Sequence, residues 1–469
     1  MDQRNQDGLS IGKRTLILSF VFMFVIMMIA YMLTAVIPGG EYARTTDASG
    51  NRIIDIEAGF TEVQGGLPFW KWLLSPVLVL GASGSGTLIG IIIFLLVIGG
   101  VFNALTEHGL MKHMLGMLVR RFGHVRYRLM AVIIFFFMAM GAFIGSFEEV
   151  IPLVPIVVAL AISLGWDVQT GIAMSLLAVG CGFASGVANP FTIGVAQTLA
   201  GLPIFSGMWF RAACFVLIYL LLLAFVYRHA RRINRSSGSG TVQAVETADN
   251  PKMDRGVLFF AVLMGIGIGV IILSGFVPEL ADYSMIILCL IFLIAGASSV
   301  LISGMGVKPF GRSFLKGIIS IAPSIVLVLM ASSIRYIMEE GHILDSVLHS
   351  TLETGRGMSR GELILFIYLI CMVINFFVPS GSAEAFLLIP LIVPLANAFG
   401  ISTQLCIVAY AFGDGFSNIL YPTNAGLLVS LGLANCSYEK WISYSLPFQF
   451  LNLLLTGGML LLGLAVGFA

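Results

Sequence analysis

The sequence predicts an all-α polytopic membrane protein with two inverted-topology repeats, each containing a re-entrant hairpin and a broken transmembrane helix. The chain of 469 residues is 58% hydrophobic and only 10% charged, with a mean hydropathy of +1.00, whereas soluble domains carry roughly 25% charged residues. Two stretches of about 150 residues repeat each other, which indicates an internal duplication. Finally, Lys and Arg are concentrated in alternate loops, which sets the orientation of the helices.

Long apolar runs mark the simple membrane helices. A crossing needs about 20 apolar residues, and runs of this kind lie near 15–37, 87–105, 209–228, 256–277, 284–303, 317–337 and 441–467. The first run follows Lys13 and Arg14 as a signal peptide would, but its length and the lack of a small-residue cleavage site favour a retained helix. The six cysteines stand singly without metal-ligand spacing.

The two halves repeat each other at an offset of 235 residues. "EEVIPLVPIVVALAISLGW" begins at Glu148, and "AEAFLLIPLIVPLANAFGI" begins at Ala383, so that Glu149 corresponds to Glu384. Further on, "GCGFASGVANPFT" corresponds to "GDGFSNILYPTN" with a small slip that pairs Pro190 with Pro422. The predicted organisation is an N-terminal helix and outer loop (1–81), repeat 1 (82–230), a cytoplasmic linker with connecting helices (231–315) and repeat 2 (316–468).

Each repeat contains shorter apolar runs that are interrupted by polar residues. In repeat 1 we predict a hairpin over about 128–165 and a broken helix over about 168–200, and in repeat 2 a hairpin over about 361–400 and a broken helix over about 403–433. With these hairpins, 18 of the 25 Lys and Arg fall on one side, which the positive-inside rule makes cytoplasmic, together with the N-terminus. The two repeats then run in opposite directions, as in secondary transporters. The alternative is that 128–144 spans the membrane fully and that Glu148 and Glu149, which follow it, lie in an outer loop.

The candidate site combines carboxylates at the hairpin tips with neutral oxygen ligands at the helix breaks. Charged groups are costly in hydrocarbon, so a carboxylate at a tip needs a Na⁺, a proton or a substrate ammonium as its partner. Asp414 has no acidic counterpart in the first half, where Cys181 stands, and is either a coupling site of the second half or a helix-dipole partner. The predicted substrate- and ion-binding residues are Ser146, Glu148, Glu149, Ser185, Asn189, Thr192, Ser380, Ser382, Glu384, Asp414, Ser417, Asn418, Thr423 and Asn424.

Four segments resemble a known family. The "GSFEE" tip, the "NPF" break followed by "VAQTLAGLPIFSG", and the second-half "PSGSAEAFLLIPL" and "YPTNAG" are similar to the YfcC-like branch of the four-carbon-dicarboxylate anaerobic carrier (DcuC-like) family, in the ion transporter superfamily. The resemblance covers essentially the whole chain and implies two inverted repeats. Members are described both as dicarboxylate carriers and as basic amino-acid exchangers, so the resemblance implies the class of transporter and leaves the substrate open.

The charges favour an amino acid as the substrate. The hairpin tips and the breaks hold up to four acids and no Lys or Arg, so we predict a secondary active transporter of an amino acid, including basic amino-acid exchange, in the bacterial inner membrane. Four-carbon dicarboxylate transport is the alternative, and an ion channel a more distant one. No enzyme is expected, because no HExxH metal motif is present.

The expected partners follow from the same composition. They are the lipid bilayer, a small-molecule substrate and, in the absence of a basic cluster interleaved with aromatics, no nucleic acid; a homodimer is a further expectation. No cofactor is predicted apart from Na⁺ or H⁺ as a coupling ion. A Na⁺ would lie near Glu149, Asn189, Glu384 and Asn424.

Overall fold

The computed structural model describes residues 13–46, 52–54, 59–82, 85–145, 147–203, 205–236, 250–274, 283–355 and 357–468. Almost all regular structure in these residues is helical. The helices are α1 Lys13–Val36, α2 Phe69–Leu78, α3 Ser85–Glu107, α4 Leu110–Phe122, α5 Arg126–Ala139, α6 Val154–Ser163, α7 Val168–Ile172, α8 Ala178–Ser185, α9 Val195–Leu199, α10 Met208–Ser236, α11 Pro251–Ser274, α12 Ser284–Ile302, α13 Val307–Glu340, α14 Leu344–Gly355, α15 Arg360–Phe377, α16 Gly381–Ala398, α17 Thr403–Asn418, α18 Ala425–Leu433 and α19 Tyr438–Ala465.

The helices of the first repeat contain several irregular turns. π-helical turns continue α5 at Met140–Ile144, join α7 to α8 at Ala173–Leu177 and precede α9 at Pro190–Gly194. Turns of 3₁₀-helix lie at Val79–Gly81, Gly123–Val125 and Glu148–Leu153. Single π-turns inside helices are often found at functional sites, and all three of these are in or next to the predicted hairpin and broken helix.

The chain is a multi-pass membrane protein. Within the described residues, nine helical stretches are long and apolar enough to cross a bilayer. Large apolar side chains such as Met32, Trp209 and Phe450 are more than half exposed on the outside of the helices, where a soluble protein would carry charges. Each of the seven simple helices predicted from the sequence is present, as α1, α3, α10, α11, α12, α13 and α19.

The helices form two groups. In the first, α3 packs against α12 and α13, α11 packs against α12, and α1 packs against α13. Helices α3 and α13 approach closely where a methyl group on Gly317 would collide with the backbone of Gly99, a small-residue contact typical of membrane helices. In the second group, α17 packs against α8, α15 and α16, while α8 also contacts α5 and α10.

Two short two-stranded antiparallel sheets form in the loop between α1 and α2. Strand β1 Gly40–Tyr42 pairs antiparallel with β4 Phe60–Glu62, and β2 Arg44–Thr46 pairs antiparallel with β3 Arg52–Ile54. Asp345 of α14 fixes this loop, since its carboxylate accepts from the Tyr42 backbone N–H and pairs with Arg44, both at 2.9 Å. Strand β3 also contacts α16.

The ends of the two predicted hairpins are closed by the same kind of contact. Arg126, at the start of α5, donates from Nη1 to the carbonyl of Leu164, just after α6, at 2.9 Å. Arg360, at the start of α15, donates to the carbonyl of Gly400, just after α16. In both cases the chain returns to the level at which it started, as a hairpin requires.

The two hairpins open toward opposite ends of α10. Asp167, three residues after Leu164, binds His229 near the C-terminal end of α10 at 3.0 Å. At the N-terminal end of α10, Gly207 lies against Phe468 and Gln404, and Phe468 lines one cavity together with Arg360 and Gly400. This placement supports the inverted arrangement of the repeats, although the repeat boundaries and the side that is cytoplasmic stay predictions.

Candidate functional site

The tip of the second hairpin meets both broken helices at Gly381. This glycine begins α16, and a methyl group on it would lie 2.5 Å from Thr192 Cγ2 and 2.8 Å from Asp414 Oδ2. Thr192 belongs to the π-turn that follows the first break, and Asp414 belongs to α17 in the other repeat. The close approach requires a residue without a side chain at Gly381, and it brings groups from both halves together at one place.

The tip of the first hairpin also lies at the breaks. The backbone N–H of Ala188 donates to the carbonyl of Ala142 at 2.9 Å, and a side chain on Gly145, which has a φ of 77°, would collide with Asn189. On its other side the tip reaches the second break, because a methyl group on Gly426 would lie 3.0 Å from the Phe147 ring. The predicted tips and breaks therefore form one continuous region.

An asparagine begins the second piece of each broken helix. Asn189 Oδ1 accepts from the N–H groups of Phe191 at 2.9 Å and Thr192 at 3.3 Å, while Asn424 Oδ1 accepts from the N–H of Leu427 at 2.9 Å. These are N-caps, which satisfy helix N–H groups that have no partner within the helix. The two caps are 235 residues apart, the offset that relates Glu149 to Glu384. The structural correspondence is thus between the asparagines, and the pairing of Pro190 with Pro422 is three residues out of register.

Two acids of the second half lie side by side in the interior. Glu384 and Asp414 are both fully buried, and both accept from the amide nitrogen of Asn375, Nδ2 to Oε2 of the glutamate and to Oδ1 of the aspartate, each at 2.8 Å. Asp414 Oδ1 accepts a second bond from Asn418 Nδ2 at 3.2 Å, and Asn418 is in turn held by Asn424 at 2.8 Å. A chain of amides thus connects the acid pair to the cap of the second break.

Several polar atoms at this place have no hydrogen-bond partner among the described residues. The acceptors are Glu384 Oε1, Asp414 Oδ2 and Asn375 Oδ1; the amide donor is Asn189 Nδ2; and the hydroxyls are those of Thr192 and Thr423. Buried polar atoms are normally paired, because each unpaired one costs about 1–3 kcal/mol. A cluster of six is the signature expected of a site that is completed by a ligand.

The structure places the predicted site residues in three classes. Ser146 lies outside the described residues. Four residues at the tips are half-buried, namely Glu148, Glu149, Ser380 and Ser382. At both tips an acid lies in the first helical turn, where the helix dipole favours it: Glu148 and Glu149 at the first tip and the buried Glu384 at the second. The others are buried, namely Ser185, Asn189, Thr192, Glu384, Asp414, Ser417, Asn418, Thr423 and Asn424.

Not every buried member of the predicted set is open to a ligand. The hydroxyls of Ser185 and Ser417 each donate back to the carbonyl four residues earlier, at 2.7 Å, which gives them a structural role in their helices. Glu148, at the tip of the first hairpin, is near enough to Asp414 to act on it electrostatically. Coupling between Glu149 and Glu384 stays a prediction.

Sequence reasoning missed both Asn375 and Arg211. Asn375 is the amide that joins the two acids, and the available signal was a lone amide in the apolar run of α15, nine residues before Glu384. Arg211 begins a long apolar helix, but its side chain is fully buried and donates to the carbonyls of Gly186 at 2.9 Å, Val187 at 3.1 Å and Ser206 at 2.8 Å. The sequence has no Lys or Arg at the breaks, but in the structure the Arg211 guanidinium lies against the first break. There it is engaged by carbonyl groups.

A metal site of the usual kind is not evident. Within the described residues, no three or more His, Cys, Asp or Glu side chains gather in a way that could hold a metal ion. The predicted Na⁺ near Glu149, Asn189, Glu384 and Asn424 stays a prediction, and the Asn424 amide is already used within the protein.

A polytopic helical protein whose buried acids lie where broken helices and hairpin tips meet has the organisation of a secondary transporter. The comparison with known families agrees: the profile described as C4-dicarboxylate anaerobic carrier, DcuC, matches residues 16–465. The chain belongs to this family. It is a membrane transporter and not an enzyme.

Two curated relatives are similar over most of the chain. The protein named "Putative basic amino acid antiporter YfcC", from Escherichia coli strain K12, is 32% identical over 383 residues, which cover 77% of this chain and 75% of the relative. A protein of Haemophilus influenzae is 24% identical over 501 residues, covering 94% of this chain and 96% of the relative.

Two solved structures also align with the whole chain. The YdaH transporter of Alcanivorax borkumensis, described as having an unusual topology, is 20% identical and aligns over 97% of this chain and 99% of its own, with a TM-score of 0.45. MtrF of Neisseria gonorrhoeae, described within a class of antimetabolite efflux pumps, is 17% identical over 94% of both chains, with a TM-score of 0.44. Neither carries information about the substrate of this chain.

Proposed function

We propose that this transporter moves an amino acid, basic amino acids included, across the bacterial inner membrane in exchange for a second solute or coupled to a cation. The observation that carries the proposal is the buried pair of Glu384 and Asp414. Each has a carboxylate oxygen without a hydrogen-bond partner, and no Lys, Arg or His of the described residues forms an ion pair with either. An ammonium or guanidinium group has the charge and the N–H donors that this pair lacks.

The other side of the same place suits the carboxylate of an amino acid. Asn189 Nδ2 and the Thr192 hydroxyl are buried at the start of the π-turn and α9, and both are donors without a partner among the described residues. The positive end of a helix dipole adds to their attraction for an anion. Thr192 and Asp414 both lie against Gly381. The donors and the acceptors are therefore close enough to bind the carboxylate and the ammonium that an amino acid carries on its α-carbon.

The name of the Escherichia coli relative, which is 32% identical, agrees with the same substrate class. The description of the family favours the second candidate, a four-carbon dicarboxylate. A dicarboxylate would bring two negative charges to a place that already holds two acids, so it would need to enter with cations of its own. Among the described residues, Arg211 is the only buried arginine near the breaks, and it is engaged with three carbonyl groups.

Counterflow in proteoliposomes tests the proposal. Vesicles containing the purified chain are preloaded with unlabelled lysine, arginine, ornithine or succinate, and the transient accumulation of the same labelled compound is measured without Na⁺. We expect overshoot with a basic amino acid and competition by the others of that class. Overshoot with succinate and no competition by amino acids would replace the proposal by dicarboxylate transport, and flux without overshoot would indicate a channel.

A further inference from the structure

No Lys, Arg or His among the described residues forms an ion pair with Glu384 or Asp414. Both carboxylates are fully buried and receive amide N–H groups only, from Asn375 and Asn418. Amides stabilise a carboxylate but add no positive charge. Two ionised acids that share one amide nitrogen would repel each other in a place shielded from water.

The other titratable groups around the pair do not supply the missing charge either. They come from the neighbouring elements α15, α17, the second break and the tip of the first hairpin, and all of them are neutral or acidic: Cys371, Tyr410, Tyr421 and Glu148. Tyr410 uses its hydroxyl to donate to the carbonyl of Gly381. Within the described residues, therefore, the pair faces further acid and no base.

A proton removes the repulsion with the fewest ligands. When two carboxylates share a site, one of them holds a proton because both cannot remain ionised. A hard metal ion would need more, since such ions take about six or more oxygen ligands. The pair and its amide offer three acceptor oxygens without a partner, Glu384 Oε1, Asp414 Oδ2 and Asn375 Oδ1.

We infer that Glu384 and Asp414 share one proton when the site is empty, and that a cationic group of the substrate displaces it. The carboxyl O–H bond breaks, its proton passes to water, and the ammonium or guanidinium N–H groups then donate to the two carboxylates. No other bond changes. This inference rests on the proposed function, because the displacing charge is that of the substrate.

The exchange gives the carrier the same local charge in both forms. With one proton the pair carries a single negative charge, and with two ionised acids and one substrate cation it again carries a single negative charge. Moving charge through a low-dielectric region is costly. Because the empty and the loaded site carry the same charge, the electrostatic cost of changing between the inward-facing and outward-facing orientations is the same for both. The transporter would accordingly release one proton for each cationic group it binds.

Proton release on binding is the direct test. Lysine is added to the purified full-length protein in detergent and weak buffer without Na⁺, with a pH-indicating dye, while binding is followed by calorimetry. We expect about one proton released per lysine bound at neutral pH, and a lysine affinity that rises about tenfold per pH unit while the pair is protonated. The variant Asp414→Asn should release no proton with any lysine that it still binds.

A second measurement does not depend on the substrate. The infrared spectrum of the substrate-free protein at neutral pH should show the C=O stretch of a protonated carboxyl. This band should be absent from the spectrum of the double variant Glu384→Gln, Asp414→Asn, and the difference between the two spectra isolates it. Lysine bound without proton release, together with no such band, would overturn the inference and leave the proposed function standing. The band without lysine binding would support the shared proton and refute the proposed substrate. Proton release by Na⁺ alone would overturn the role given to the substrate.

Discussion

Glu384 and Asp414 come from different helices, and their carboxylates lie 2.8 Å from the same amide nitrogen, that of Asn375. One acid begins the returning arm of a hairpin and the other lies in the helix that precedes the second break. A change in the relative position of hairpin and broken helix must therefore alter this pair. The arrangement connects ligand binding to the movement that a transporter needs.

Removing the shared amide should damage both stability and transport. The variant Asn375→Leu keeps the volume but takes away the donor to both acids, so the free energy of unfolding should fall by about 1–3 kcal/mol and counterflow should be lost. The matched control is Asn452→Leu, since the Asn452 side chain is also buried but has no partner among the described residues. If Asn452→Leu lowers the free energy of unfolding as much as Asn375→Leu does, the hydrogen bonds of Asn375 are not the cause of the destabilisation.

Arg211 should be needed to hold the first break. The variant Arg211→Met leaves the carbonyls of Gly186 and Val187 without this donor, and each such loss costs about 1–3 kcal/mol, whereas the Ser206 carbonyl keeps its bond from Gln197 Nε2 at 2.9 Å. We expect a clear fall in Tm, measured by thermal unfolding in detergent. Arg335→Met is the control, because its half-exposed pair with Glu339 is worth only about 0.2–1 kcal/mol. Equal Tm values for the two variants would refute this role.

The ends of the two hairpins should be reachable from opposite sides of the membrane. Gln169, in the first turn of α7, is half-buried, and Gly357, just before α15, is exposed with open space around it. In spheroplasts and inverted vesicles, a membrane-impermeant maleimide should label Gln169→Cys only from the cytoplasm and Gly357→Cys only from outside. Labelling of both variants from one side would contradict the inverted arrangement.

Asp167 should stabilise the end of the first hairpin in a pH-dependent way. Burial alone would raise the pKa of this carboxyl, but hydrogen bonds from His229 and Thr170 outweigh burial and hold the pKa below its usual value. A lowered pKa means that the contribution to stability is present above the unfolded value, about 4, and is lost as the pH falls through the folded value. Asp167→Asn should thus lower Tm at neutral pH and differ little from the parent protein in strong acid.

The lost negative charge sets the size of this effect. Asp167 Oδ1 caps α7 through the Thr170 N–H at 2.9 Å, but asparagine caps a helix about as well as aspartate, so the variant keeps the cap and loses the charge that faces His229. Glu439→Gln, which removes an exposed acid from the first turn of α19, should leave Tm nearly unchanged at all pH values. A gap between Asp167→Asn and the parent that persists or widens in acid would show that the carboxylate is not the stabilising form.

Much of the fold follows from the sequence, because membrane helices are defined by length and hydropathy. The seven simple helices needed nothing more, and the shorter runs around "GSFEE" and "VPSGSAEA" marked the places where α5, α6, α15 and α16 begin or end. The offset of 235 that relates Glu149 to Glu384 also relates the caps Asn189 and Asn424.

The site was only partly predictable, because pairing in space depends on which faces of the helices meet. The sequence offered Glu384 and Asp414 as separate candidates, and nothing in their spacing showed that Asn375 joins them. Arg211 lies in the sequence at the start of a long apolar run, outside the predicted breaks, whereas its long side chain reaches back to the first break. A flexible side chain of several bonds can carry its charge well away from its own backbone.

The central claim is that the buried acid pair binds the positive charge of the substrate, and lysine counterflow by Glu384→Gln tests it most directly. Glutamine keeps the shape of the side chain and removes its charge, so we expect the variant to insert and fold, with Tm near that of the parent, and to show no lysine overshoot. Glu439→Gln, the same substitution at an exposed first-turn position, should retain full overshoot. Lysine overshoot in Glu384→Gln equal to that of Glu439→Gln would contradict the account.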